Sequence, residues 1–522
     1  MPIATEDLAT EDLATEDLAT EDVVIVGGGP NGLLLACELA TAGVRPVVLE
    51  RLTGPSPIPK ANGLVGRVVQ MLDYRGLFEE FSGQAGPPRP APAFQFGGLG
   101  LELHRLRDNN PVYMLPIPQR RIEELLAARA ARLGVDVRRG QEVTAVEQDA
   151  DGVTLTLATG DRLRTRYAVG ADGGRSLVRK AAGIDFPGIT DTGFISRQGT
   201  VSVDATALAA DGTIDSLPPY AFHRFAAGIF VYGVFQPGRF RVSVLEWNQP
   251  DAGPEGPIPL AELAAAIERV LGRPLPVSLP EGDAGPAESL RRRPGVNSRQ
   301  ASRYRDGRLL LVGDAAHVHS GVGGPGLNLG MQDAVNLAWK LAAQVHGWAP
   351  EGLLDSYESE RIPLGTRVLM HTRTQMQLLE PGDNVTALRE FVTGLLTDDA
   401  NLQRVADLMA GADAVYATFG DRLPAHPLLG RWLPDLPLTG PVGRAGELLR
   451  DGRPVLLDLT GALENFGDDH VRLVTARVSG VPAPADALLV RPDGYVAWAY
   501  GPGAAIDELR ASAREALKIW FG

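Results

Sequence analysis

The sequence predicts an α/β protein: a Rossmann-like, doubly wound domain interrupted by an inserted antiparallel sheet and followed by a thioredoxin-like C-terminal unit. Three observations predict it. Over residues 23–49 a short apolar run, a glycine turn, a helical stretch and a second apolar run follow one another, the order of a βαβ unit. Between about residues 190 and 290 strand-like runs separated by Pro and Gly take over. Residues 309–312 then return to a continuous apolar strand ahead of a long helical pattern.

Taken in order, residues 23–26 and 46–49 lack alternation, as buried parallel strands do. The helix between them stops near Gly43. Residues 122–133 read as a helix closed by Gly134, and 135–138, 143–148, 153–157 and 167–170 as strands. Residues 228–235 and 240–247 are the strongest strands of the insert. Residues 327–345 form a helix with Leu327, Met331, Val335, Ala338, Leu341 and Val345 along one side. Past residue 410, strands at 454–459, 471–476, 487–490 and 495–500 precede a closing helix over 506–521, a βαββα-like order. The expected division is an acidic tail over 1–22, the doubly wound domain over 23–190 and 290–400, the insert over 191–289 and the last unit over 410–522.

Composition narrows the function. Hydrophobic residues make up 44% and charged residues 22% of 522 residues, an ordinary globular balance. No apolar run is long enough to cross a bilayer and no leader pattern opens the chain. The only cysteine, Cys37, excludes an intrachain disulfide and dithiol chemistry, so a reducing, cytoplasmic home is expected and Cys37 reads as a small buried hydrophobe. Residues 4–22 repeat Ala-Thr-Glu-Asp(-Leu), and their eight acids account for the difference between a net charge of −14 and −6 for the remainder. A five-residue period suits neither helix nor strand, so a solvated, disordered tail is expected. An acidic body excludes a nucleic-acid partner.

Three motifs carry chemistry. Gly27-Gly28-Gly29-Pro30-Asn31-Gly32 is a GxGxxG between strand and helix. Gly27 suits a tight turn, Gly29 a close approach to a pyrophosphate, and Gly32 close packing of helix on sheet. The helix N-terminus offers amides and a positive dipole end to phosphate. Glu50, with Arg51 beside it, ends the next strand and can accept from ribose hydroxyls. The second motif, Tyr167 to Ser176, ends a strand in Asp172-Gly173, and by itself reads equally as a turn. In the third, residues 308–317, Gly313-Asp314 sits at a strand's carboxyl end, where doubly wound sheets bind ligands. Asp314 can accept from a polyol such as flavin ribitol. Gly321 to Gly326 then opens the long helix, and amides at Gly324, Gly326, Leu327 and Asn328 can stabilise negative charge at a flavin N1 and C2 carbonyl. His317-Val318-His319 lacks a third ligand at fitting spacing, so no metal is expected.

These motifs, in this order, resemble the single-component FAD aromatic hydroxylases, the p-hydroxybenzoate hydroxylase class, over about residues 23–400. Within the class the chain is most similar to polyketide-tailoring hydroxylases and rifampicin monooxygenases, through Pro118-Gln119, Asn328 to Lys340, Tyr357-Glu358-Ser359-Glu360-Arg361 and the cysteine-free last unit. The resemblance implies a GR2-type FAD-binding domain, with Asp172 associated with FAD and NADPH, and Arg67 and Gln119 lining the FAD site. Lys60 stands where an arginine usually meets the pyrophosphate, supplying charge without a bidentate fork. It implies reduction of FAD by NADPH or NADH as a transient co-substrate, addition of O2 at flavin C4a, and oxygen transfer from that hydroperoxide to a polycyclic aromatic polyketide in antibiotic biosynthesis.

Gly321 stands where proline is expected and Pro325 where glutamine is, making the loop at the reacting flavin edge more flexible and one donor poorer. Three alternatives stay open: Baeyer–Villiger or rearrangement chemistry, inactivation of a rifamycin-type antibiotic, and a flavin-binding protein that catalyses no oxygenation. No general base is assigned, and His223 and Arg224 of the insert read as structural. A monomer or homodimer is compatible with the sequence.

Overall fold

The computed structural model describes residues 20–56, 60–249, 253–280, 290–416, 423–467, 470–503 and 505–522. The tail expected over 1–22 lies outside these residues as far as 19. Its last three residues do not belong to a tail. The first strand is Thr20–Val26, paired from Thr20↔Arg164 to Val26↔Gly170. Arg166 neutralises Asp22 at 3.0 Å and Thr165 Oγ1 donates to the Glu21 carbonyl, which draws two acids of the repeat into the sheet.

The central sheet runs Arg305–Asp306, Leu309–Leu311, Arg162–Gly170, Thr20–Val26, Pro46–Glu50, Asp136–Arg139. The last five strands are parallel, and the apolar middles of Thr20–Val26 and Pro46–Glu50 are buried, as helices on both faces require. The first helix, Pro30–Thr41, packs between the sheet, the helix Gln119–Arg132 and the long helix Pro325–His346. Their shared core includes Leu33, Leu34, Ile25, Leu126 and Leu337.

The inserted sheet is antiparallel, in the order His223–Phe225, Gly228–Gln236, Arg239–Trp247, Gly188–Val203, Arg291–Gln300, Gly256–Pro257. The boundary expected at 289/290 therefore shifts. Arg291–Gln300 pairs with Gly188–Val203 and belongs to the insert's sheet, although its Arg-Arg-Arg-Pro-Gly start carries no apolar alternation. Helix Leu260–Leu271 covers one face of this sheet with Leu263, Ile267 and Val270. The other face turns towards the doubly wound domain, where Phe194, Ile229 and Leu245 meet Val322, Met376 and Leu379.

In the last unit, Val455–Asp458 is parallel to Arg472–Thr475 and antiparallel to Ala487–Val490, which pairs with Val496–Tyr500. The helix Ile506–Phe521 closes one side and buries Trp520 beside Trp339 of the long helix. The helix expected between the first two strands is absent among the described residues. Asp458 accepts instead from the amides of Thr460, Gly461 and Leu463 and holds the connection in a turn.

Candidate active site

The register places four strand ends side by side. Leu49, Val26, Gly170 and Leu311 are consecutive partners across the sheet, so the three sequence motifs leave it along one edge. Gly27 has φ 111° and its amide donates to the Leu49 carbonyl at 2.8 Å. A side chain there would sit 2.4 Å from the Ala171 carbonyl oxygen, and one at Gly32 2.0 Å from that of Gly27. Gly29 is different: a Cβ would meet nothing within 4 Å. The turn's backbone thus faces open space at the N-terminus of Pro30–Thr41, which has no side-chain cap and no acid in its first turn. Such an end leaves its amides and dipole for an anion.

Asn31 joins the first and third motifs. Its Nδ2 lies 2.1 Å from where a Cβ of Gly313 would be and 2.3 Å from one of Gly330, so only glycines let the amide fill that space. Its Oδ1 is buried with no partner. Asp314 stands next to it, exposed to the cleft and accepting no hydrogen bond from the described residues. The surrounding chain pushes its carboxyl pKa up by desolvation, against the attraction of His317 and Lys60. Pro30 is buried at the head of the helix.

Glu50 Oε2 accepts from the Gly28 amide at 2.7 Å and Oε1 from the Leu52 amide at 2.8 Å, which fixes the carboxylate at the strand end with lone pairs remaining. Arg51 and Lys60 are exposed cations beside it. Gln119 bridges the Ala61 amide and Glu123. Asp172 is committed to the fold: its Oδ2 accepts from the amides of Leu177 and Val178, capping a short helix, while Oδ1 is buried without a partner. Arg67 is turned to Gln70, the Ala412 carbonyl and the Trp432 ring, and its Nε is a buried orphan.

A buried network that the sequence reading missed holds the Gly-Asp turn. Asp333 Oδ2 accepts from the Gly313 amide at 3.2 Å and meets His317 Nε2 at 2.6 Å. Its Oδ1 accepts from Arg361 Nε at 2.7 Å, and Arg361 also donates to the Leu329 carbonyl and Tyr416. All three side chains are sealed from solvent. Tyr357 donates to the Leu311 carbonyl and Glu358 accepts from the Tyr304 amide. Tyr357, Glu358 and Arg361 thus buttress the strand and turn that present Asp314.

The long helix opens at Gly324, its N-cap with φ 71°, again with no side-chain cap. Pro325 takes the first position, where the missing amide is one the helix does not use. The amides of Gly326, Leu327 and Asn328 remain. Asn328 Oδ1 accepts from the Val65 amide and its Nδ2 donates to the Gly324 carbonyl, fixing the loop against a neighbouring strand. A narrow crevice is lined here by Val65, Gly323, Pro325, Asn328, His371 and Met409. His319 Nδ1 faces the Ser320 carbonyl, and burial pulls its pKa down to about 3. Burial likewise pulls His371 down to about 4. Among the described residues no three His, Cys, Asp or Glu side chains gather in a way that could hold a metal, and no helix is long and apolar enough to cross a membrane.

Residues 20–372 match the family of FAD binding domains, and residues 426–522 match the aromatic-ring hydroxylase C-terminal family. The chain belongs to the FAD-dependent aromatic-ring hydroxylases. It is 41% identical to the 12-dehydrotetracycline 5-monooxygenase/anhydrotetracycline 6-monooxygenase of Streptomyces rimosus and 40% identical to a rifampicin monooxygenase of Streptomyces venezuelae, covering 96% of this chain and 98% of each relative. Among solved structures it is similar to CabE, an aromatic hydroxylase from angucycline biosynthesis, with TM-score 0.81 and 35% identity over 97% of this chain and 99% of CabE. This hydroxylase is a flavin-dependent monooxygenase using FAD, O2 and NAD(P)H. The donor set fits that cofactor: two uncapped helix ends, a fixed carboxylate, exposed cations and a free acceptor share one edge.

Proposed function

We propose that this hydroxylase oxygenates a polycyclic aromatic polyketide in antibiotic biosynthesis. The observation that carries this reading is the apolar seam where the insert meets the loop before the long helix and helix Ser356–Leu379: Phe194, Ile229 and Leu245 pack on Val322, Met376 and Leu379, and the partly buried rings of Phe222 and Trp247 flank them as an apolar wall. Such a wall suits a flat aromatic ligand. The relatives named for tetracycline precursors and rifampicin support the substrate class.

Bound FAD supplies reduction by the nicotinamide and activation of O2. The chain's residues bind and orient it. Amides of Gly29, Asn31 and Gly32 would hold the pyrophosphate, with Lys60 and Arg51 offsetting charge and Glu50 accepting from the ribose. Asp314 accepts from the ribitol. Amides of Gly326, Leu327 and Asn328 would stabilise the negative charge that the ring gains on reduction. The inserted sheet keeps water away. The last sheet's order, with one parallel pair continued antiparallel, supports a thioredoxin-like layout without redox cysteines, and buried Cys37 is consistent with a cytoplasmic protein.

The test is a panel of polycyclic phenols and quinones given to the FAD-loaded enzyme, with NADPH oxidation, O2 uptake and product structure recorded. Substrate-stimulated oxidation coupled to a ring hydroxyl is expected. Uncoupled or absent stimulation with every compound sinks the proposal. A second reading, Baeyer–Villiger insertion, draws on Gly321, where a Cβ would touch nothing within 4 Å and the loop lacks the expected proline's stiffness. A lactone in place of a ring ketone would establish it.

A further inference from the structure

The two faces of the inserted sheet treat their arginines differently. On the face under helix Leu260–Leu271 both are paired, Arg197 with Glu246 and Glu262 and Arg292 with Glu262, and Arg269 of the helix itself adds a second partner to Glu246. Alternation along the strands sends Arg291 and Arg293, opposite Gln198 and Ser196, to the other face. Arg241, opposite Thr200 and Gly233, joins them there. Among the described residues no ion pair reaches Arg241 or Arg291, and Arg293 has only a distant one. Glu255 lies 4.0 Å from Arg293 and shares itself with Arg175.

Arg241 Nη1, Arg291 Nε and Arg293 Nε are buried with no partner. Arg241 and Arg293 lie close enough to repel. Buried guanidinium donors left unmet are costly, and the fold places those of Arg241 and Arg291, with the half-exposed Arg293 beside them, on the face it turns to the doubly wound domain.

We propose that Arg241, Arg291 and Arg293 form an anion subsite that takes an acidic substituent of the aromatic substrate, a carboxylate or ionised enol, while the rings lie on the Phe194–Leu245 wall. The arrangement supplies both ends. Arg293 shares a row with Ser196 and Leu245, two strands away or about 10 Å, and Arg241 lies four residues along the strand from Leu245, about 13 Å. A fused polycycle bridges such spans. Guanidinium groups suit a planar oxyanion. The inference deepens the functional reading above and rests on it.

The test is direct binding to the FAD-loaded enzyme, followed by Trp fluorescence and flavin absorbance. The probes are anthraquinone-2-carboxylate and its methyl ester. Wild type should bind the acid at least tenfold tighter. Arg241→Gln and, separately, Arg291→Gln should erase that preference and leave ester affinity within about twofold. The charge-keeping Arg241→Lys covers the case of a poorly folding glutamine variant and should retain part of the preference. Equal affinity for acid and ester in wild type overturns the subsite. So does a variant that keeps the acid preference but loses flavin reduction by NADPH relative to NADH, which would assign the arginines to a phosphate of the reductant. Loss of the oxygenase reading alone would appear as tight acid binding with no stimulated NADPH oxidation.

Discussion

Asp314 and Asp333 are two aspartates beside one turn with opposite expected behaviour. Asp314 accepts no hydrogen bond from the described residues, so Asp314→Ala should leave the melting temperature of the flavin-free protein nearly unchanged and weaken FAD at least tenfold in a titration, one lost hydrogen bond. Unaltered FAD affinity would remove it from the cofactor site. Asp333 is fully buried between Arg361 and His317. Asp333→Ala strands a buried guanidinium and should cost about 3–5 kcal/mol in urea unfolding. The histidines at the crevice add a pH effect. His319 and His371 hold pKa values near 3 and 4 because burial disfavours their charge. Below about pH 6.5 the unfolded chain takes up protons that the folded one refuses, so stability should fall as pH drops from 6.5 towards 4. His371→Gln should flatten that slope, and an unchanged slope would assign it to other groups.

At the scale of elements, the glycine turn separates folding from binding. Gly32 has the Gly27 carbonyl 2.0 Å from a would-be Cβ, whereas Gly29 has open space. Gly32→Ala should therefore lower the melting temperature of the flavin-free protein. Gly29→Ala should leave it within a degree or two and lose FAD, because the methyl group enters the cofactor's space. Equal losses of stability in both would contradict this division. The turn was legible from sequence because strand, glycines, helix and acid occur in a fixed local order. Asp333 was not. In the long helix Asp333, Asn336 and Lys340 lie at helical spacing on the side opposite Met331 and Val335, where amphipathic spacing alone places water. All three are buried, since helix Ser356–Leu379 and the last unit bring Arg361, Glu360 and Arg491 against them. A polar stripe does not say whether water or another charged element covers it. Arg291–Gln300 was hidden likewise: its partners lie about a hundred residues earlier, and its opening arginines, without apolar alternation, divide between an ion-paired face and an open one.

Across the whole molecule, buried charge makes the last unit part of the enzyme. Glu360, on the helix that buttresses the Gly-Asp turn, accepts from Lys340, from Asn336 and from both Nη atoms of Arg491 on the final hairpin. Arg75, held by Glu38 of the first helix, donates to the carbonyls of Leu449 and Pro492. Arg444 reaches back to Asp73. The last unit thus grips elements on both sides of the proposed flavin edge, and should unfold with them in one transition. Burial alone would raise the Glu360 pKa, but Arg491 and Lys340 outweigh it and hold the carboxyl at about 2 against an ordinary 4.5. A carboxylate depressed in this way contributes stability above pH 4.5, about 3 kcal/mol, and loses it as pH falls towards 2. Glu360→Gln should accordingly be less stable than wild type at pH 7, with the gap in urea unfolding free energy narrowing below pH 4.5. A gap that stays constant from pH 7 to 3 would mean that the glutamate acts through shape, and that the charges joining the last unit to the flavin edge contribute nothing to its docking.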